Sequence, residues 1–187
     1  MGWLSDYRDD VGRYTEYGGS ALRMVLTAQG LWALLQYRIA HAIYASSAPR
    51  PLKVVALGLC SMWRKVIEMT AGIQLPHDAS IAPGLYIGHF GGVIVSSGSV
   101  IGPGCNISQG VTLGVSGRGV RRGTPTLGAG VYIAANAVVA GKIHVGEGAR
   151  ISACSLVIRD VPAGALVSGV PASIVVRDED CTQVEDT

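Results

Sequence analysis

The hydrophobic pattern of this chain changes its rhythm once, near residue 75. Before that point apolar residues fall at helical spacing. Leu22, Leu26, Leu31, Leu34, Leu35, Ile39 and Ile43 do so through residues 20–45, and Val54, Val55, Leu57, Leu59, Trp63 and Ile67 through residues 52–69. This predicts helices, with Gly30 dividing the first stretch and Pro51 opening the second. Beyond residue 75 an aliphatic residue recurs every six positions: Ile81, Ile87 and Val93; Ile101, Ile107 and Leu113; then Leu127, Ile133, Val139, Val145, Ile151 and Val157. The register breaks at a two-residue slip after Val93 and at an eight-residue insertion after Leu113. A period of six is neither helical nor that of a plain strand. Short strands joined by tight turns and stacked as a solenoid produce it, each coil burying its aliphatic residue against the next. The expected fold is mainly β, a parallel β-solenoid over residues 76–176 behind a helical region, residues 1–75. An acidic tail, residues 177–187, follows.

Composition narrows the classes of function. The 187 residues are 49% hydrophobic and 15% charged, with a formal net charge of +2. The first 75 residues hold eight basic and five acidic side chains, the remainder seven and eight. Neither part is basic enough for nucleic acid. Cys60, Cys105, Cys154 and Cys181 lack CxxC spacing and read as reduced thiols of a cytoplasmic protein, Cys105 and Cys154 as small core residues of the coils. MGWLSDYRDD has no signal-peptide pattern, and the apolar runs of the helical region are too short to span a membrane. The helices are expected to pack on one end of the solenoid. Arg38, Tyr44, Trp63, Arg64 and Lys65 leave open a peripheral contact with the inner face of a membrane.

One histidine stands inside the repeat among glycines: His89, in GLYIGHFGG. Flanking glycines leave its ring accessible, and an imidazole, which ordinarily titrates near neutrality, can act as a general base. His77, His89 and His144 are spaced by 12 and 55 residues and match no zinc motif, so no metal is expected. A non-catalytic scaffold built from the same coils remains an alternative.

GLYIGHFGG, NISQGVTLG, GTPTLGAGVYIAANAVVAGKI, GEGARI and VSGVPASIV resemble the hexapeptide-repeat acyltransferases over about residues 73–176. They resemble most the serine acetyltransferase branch and its relatives in bacterial polysaccharide clusters. The resemblance implies a left-handed parallel β-helix, a homotrimer and acetyl-CoA as co-substrate, bound in a groove between coils and subunits. It assigns His89 the role of general base, and Gly114, Ala134, Ala135, Arg150 and Ala153 to the CoA site. The small residues clear a path for the pantetheine arm, and Arg150 suits a phosphate. Coil faces rich in small apolar residues (Val131, Ala137, Val138) are expected to meet a neighbouring subunit. The inserted loop, residues 115–126, reads as a mobile flap beside the site.

Two departures bear on the acceptor. The residue before the base histidine is an aspartate in serine acetyltransferases and is Gly88 here. The family's Arg-His pair before a proline is here Gly123 and Thr124, before Pro125. Both losses remove groups that hold a zwitterionic amino acid, whose charges need partners when desolvated. With Gly88, Arg121, Arg122 and Thr124 as the acceptor-binding residues, the sequence favours O-acetylation of a sugar or polysaccharide precursor. Serine is the alternative, its carboxylate paired by Arg118, Arg121 or Arg122.

Overall fold

A computed structural model describes residues 2–175, without the Arg121 side chain; the acidic tail and Cys181 lie outside the described residues. Four helices, α1 (Trp3–Thr15), α2 (Ala21–Thr27), α3 (Gln29–Ala45) and α4 (Arg50–Ala71), precede fifteen short strands. Pro51 stands in the first turn of α4, where its missing N–H costs nothing, and Gly72, at φ 64°, ends it.

The strands form three faces of a prism. The first face stacks Ile73–Gln74, Val93–Val95, Thr112–Gly114, Val138–Ala140 and Leu156–Val157. The second stacks Ser80–Ile81, Val100–Ile101, Thr126–Leu127 and His144–Val145. The third begins Tyr86–Ile87, Asn106–Ile107, Tyr132–Ile133 and Arg150–Ile151 and ends on Leu166–Gly169, with Ala172–Ile174 antiparallel to it. All other strand pairings within the three faces are parallel, as expected of a β-helix. All twelve hexad residues are buried, none more than 5% exposed.

Strand register relocates one break in that repeat. Val95, not Val93, pairs with Leu113, which pairs in turn with Val139. The two extra residues therefore lie before Val95, in the corner that carries His89. The sequence pattern misplaced them because Val93 and Val95 both point inward, at 0% and 1% exposure.

The helical boundary also differs from expectation. The break between α2 and α3 falls at Ala28, which is extended (φ −89°, ψ 107°), and Gly30 lies inside α3. Gly30 serves close approach instead. A Cβ there would stand 2.1 Å from the Tyr14 hydroxyl and 2.7 Å from the Ile87 carbonyl oxygen, so only glycine lets α3 rest on the first coil. Val131 and Ala137, expected on an outer face, are core residues at 0% exposure. Cys154, expected in the core, is exposed at a corner; Cys105 is buried, which pushes its thiol up to about 11.

The helices close the solenoid with side chains that take the place of another strand. Tyr37 donates its hydroxyl hydrogen to the Ala79 carbonyl (2.8 Å) and accepts from the Ile81 N–H (3.0 Å). Tyr14 does the same at the Ile87 carbonyl (2.9 Å) and N–H (3.0 Å). Arg38 donates to the Ile81 and Ala82 carbonyls at 2.5 and 2.9 Å and forks onto Asp10 at 2.9 and 3.0 Å. Asp10 itself accepts from the N–H groups of Gly84 and Leu85. Burial pushes the Asp10 carboxyl up from the usual range, while Arg38 and the two N–H groups pull it down. Both partners are almost wholly buried, so loss of either leaves an uncompensated charge, typically a loss of about 3–5 kcal/mol.

Candidate active site

His89 projects from the corner between the third and first faces. Below it, at the equivalent corners, the hexad allows a connection two residues shorter. The longer connection is anchored on both sides: the Gly91 and Val93 N–H groups donate to Ala71 and Gly72 at the end of α4 (2.8 and 3.0 Å), and Gly110 donates to the Gly91 carbonyl (2.9 Å). Gly91 and Gly92 take φ values of 99° and 69°, conformations that side-chain-bearing residues rarely adopt. The result is a short outward bulge with His89 and Phe90 exposed on a backbone pinned above and below.

His89 opens into a cavity of about 200 Å³ lined also by Tyr17, Tyr86, Gly88, Asn106, Ile107, Ser108 and Tyr132. Tyr86, Asn106 and Tyr132 are successive outward residues of the third face, and Tyr17, just beyond α1, stacks on Tyr86 with ring centroids 4.2 Å apart. The Asn106 amide donates to the Tyr17 hydroxyl at 2.9 Å. A Cβ on Gly88 would stand 2.9 Å from the Tyr86 ring, so a side chain there would force Tyr86 out of that stack.

Sequence reasoning missed the charges beside this cavity. Arg13, at the end of α1, lies over the Tyr17 ring, 5.5 Å from its centroid, and reaches the Asn106 side-chain oxygen at 3.4 Å. It also contacts Glu16, which is mostly exposed. The Arg13 Nε atom is buried and has no partner among the described residues. The signal was present in RYTEY, residues 13–17, but without a predicted α1 nothing connected it with His89.

The predicted CoA residues divide between two edges of the prism. Ala134, Ala135 and Ala153 occupy the same edge as His89, two and three coils farther along, with the Ala134 N–H donating to Ile151 and the Cys154 N–H donating to Ala135. Arg150 continues the outward row of Tyr86, Asn106 and Tyr132, two strands or roughly 10 Å beyond Asn106. Gly114 lies on the next edge, paired with Ala140. There the inserted loop and the coil below it enclose about 640 Å³, with Arg118 and Lys142 among the lining residues. Of the predicted acceptor residues, Gly88 lines the His89 cavity. Arg122 and Thr124 belong to the loop edge, as does the Arg121 backbone, in a 3-10 turn. Among the described residues no group of three or more His, Cys, Asp or Glu side chains converges, and no helix is long and apolar enough to cross a membrane.

Comparison with known proteins adds a family to this geometry. Residues 124–159 match the model described as bacterial transferase hexapeptide (six repeats). Serine acetyltransferase of Synechococcus elongatus is 34% identical over 158 residues, 84% of this chain and 62% of that enzyme. The chain therefore spans less than two thirds of that relative. Serine acetyltransferase of Helicobacter pylori is 36% identical over 155 residues, 83% of this chain and 86% of that enzyme. Among solved structures, serine acetyltransferase of Brucella abortus in complex with coenzyme A superposes with a TM-score of 0.81 at 27% identity, covering 92% of this chain and 67% of that one. These relatives overturn the sugar or polysaccharide acceptor expected from sequence. That expectation counted the charges missing at residues 88 and 123–124 and did not include Arg13, which α1 carries to Asn106 and Tyr17 at the cavity wall.

Proposed function

Because the chain belongs to the serine acetyltransferase family of hexapeptide-repeat transferases, we propose that it transfers the acetyl group of acetyl-CoA directly to the hydroxyl of serine, with His89 as general base. The observation that carries this reading is an exposed histidine in a cavity whose lining residues Tyr17 and Asn106 are contacted from behind by a cation, Arg13, itself paired with an anion, Glu16. Zwitterionic serine needs partners of both signs once desolvated. Arg13 takes its carboxylate and Glu16 its ammonium, in place of the aspartate that Gly88 replaces.

The chemistry follows from the geometry. His89 removes the hydroxyl proton as the serine oxygen attacks the thioester carbonyl. Backbone N–H groups of the glycine-rich corner are suited to hold the oxyanion. As the carbon–sulfur bond breaks, the imidazolium returns its proton to the departing thiolate. The small residues on the His89 edge, Ala134, Ala135 and Ala153, leave room for a pantetheine arm, and Arg150 on one side and Arg118 with Lys142 on the other offer cations for CoA phosphates.

The two edges lie on either side of the first face, whose outward row is Ile94, Thr112, Val138 and Leu156. That largely apolar row supports a homotrimer. Packing it against a neighbour brings one subunit's loop edge, with Gly114, Arg121, Arg122 and Thr124, beside the other's His89. The free thiols of Cys60, Cys105 and Cys154, together with acetyl-CoA as co-substrate, support a cytoplasmic setting for this reaction.

The test is thiol release from acetyl-CoA by the purified chain with serine as acceptor, with O-acetylserine identified by mass. Serine-dependent release is expected; thiol release with no O-acetylserine formed would overturn the acceptor.

A further inference from the structure

Tyr17 lies just past the end of α1, where its N–H donates to the Tyr14 carbonyl at 3.2 Å. Its ring is the last of three that lean on one another. The Tyr14 hydroxyl is fixed on the Ile87 backbone, the Tyr86 ring centroid lies 4.7 Å from that of Tyr14, and Tyr17 stacks on Tyr86 with an interplanar angle of 23°. The Tyr17 ring is thereby held against the coil at the wall of the His89 cavity, although the residue is 55% exposed.

Asn106 decides what the Tyr17 hydroxyl can do. The amide of Asn106 has two neighbours, the Arg13 guanidinium at 3.4 Å and the Tyr17 hydroxyl at 2.9 Å. A guanidinium only donates, so the amide oxygen faces Arg13 and the amide nitrogen is left to face Tyr17. An amide nitrogen also only donates, so the Tyr17 oxygen accepts that bond and keeps its own hydrogen. Among the described residues the bond from Asn106 is the only one this hydroxyl makes. Its hydrogen is free for a ligand in the cavity.

Building on the serine acceptor read from this cavity, we propose that the Tyr17 hydroxyl donates to the serine carboxylate, a second donor beside Arg13, with Asn106 as the positioning residue that sets its direction. Three features favour the carboxylate over the ammonium. An ammonium is a donor alone and cannot take the hydrogen. None of the residues lining the cavity is acidic, so a carboxylate enters without a like charge on the wall. The bonds also run in one sense, from guanidinium to amide oxygen, from amide nitrogen to phenol oxygen, and from phenol hydrogen to the ligand. Such a chain, with a cation at its head, polarises toward an anion at its end, and bonds to an ionised acceptor are the stronger kind.

The test compares the full chain with Tyr17→Phe, which keeps the ring and its stack and deletes only the hydroxyl, with folding checked by circular dichroism. Serine is the acceptor. Serinol, which carries a hydroxymethyl group in place of the carboxylate, is the competing ligand. KM for serine is expected to rise about tenfold while the inhibition constant of serinol stays within about twofold, since only serine meets the lost donor with a charge. The values of kcat and of KM for acetyl-CoA should not move. Equal losses for serine and serinol, as a merely structural tyrosine would give, overturn the proposal, and so does no change in either.

Asn106→Asp gives an independent check, and decides the matter should Tyr17→Phe misfold. A carboxylate only accepts, so it draws the Tyr17 hydrogen onto itself. KM for serine should rise, and adding Tyr17→Phe to Asn106→Asp should raise it no further. An unchanged KM in Asn106→Asp, or a further and additive rise in the double variant, overturns the proposal. O-acetylserine formed equally well by the wild type and a folded Tyr17→Phe variant defeats the Tyr17 assignment alone; thiol release by the wild type without O-acetylserine defeats the serine acceptor, and the assignment with it.

Discussion

The hexad ladder is interrupted at two corners, and the two are built for different tasks. The His89 corner adds two residues, draws on three glycines, and is hydrogen-bonded to the end of α4 above and to Gly110 below. The corner after Gly114 adds eight residues and is tied at its neck, where Ser116 and Gly123 exchange hydrogen bonds of 3.1 and 3.0 Å, while its tip stands in solvent, with Val120 92% exposed. The short insertion fixes one side chain against a rigid frame. The long one presents several side chains from a narrow base. A solenoid accepts both because an insertion at a corner leaves the inward residues on either side in register.

The largest effect should come from the short corner. His89→Ala is expected to lower kcat by about 10² to 10⁴, the usual contribution of a general base, with the melting temperature unchanged. Steady-state rates on the folded variant near those of the parent would place the base elsewhere. Next comes the frame that holds this corner. Gly30→Ala puts a methyl group against Tyr14 and Ile87, and overpacking of this kind costs about 1–3 kcal/mol, read by denaturant unfolding. Unchanged stability would show that α3 does not need its close seat on the first coil.

Smaller effects separate the acceptor side from the loop side. Arg13→Ala should raise KM for serine by about ten- to a hundredfold, since a hydrogen bond to a charged group contributes roughly 1.5–3 kcal/mol, and should leave KM for acetyl-CoA alone. Equal changes in both constants would mean that Arg13 only supports the fold. Arg118→Ala, at an exposed position of the loop, should raise KM for acetyl-CoA by no more than about fivefold, because exposed ion contacts contribute about 0.2–1 kcal/mol. A loss of two orders of magnitude would show the loop closing over its ligand far more tightly than its exposure suggests.

The β-helix was legible in the sequence because its constraint is local and repeated. An inward position that returns every six residues admits only Ile, Leu or Val, and the pattern announces itself twelve times. The helical region has no such repetition. Gly30 reads as a helix break when the chain is considered alone, and becomes a contact point only when Tyr14 and Ile87 are seen beside it. The slip was misplaced for a related reason: two inward valines, Val93 and Val95, fit the period equally well until strand pairing chooses between them. His89 could be picked out by its setting among glycines. Arg13 could not, since it comes to the cavity through a helix 93 residues before Asn106.

The way the helices close the first coil has a consequence for the protein in a crowded solution. A stack of parallel strands ends in a row of unsatisfied amide and carbonyl groups, a template on which another chain can add itself and begin a fibre. Here Tyr14, Tyr37, Arg38 and Asp10 occupy that row, and the antiparallel Ala172–Ile174 strand lies across the last rung of the third face. The polar side chains buried in the helical region therefore act as a stopper against end-to-end polymerisation, a hazard inherent in any fold made by repeating one rung.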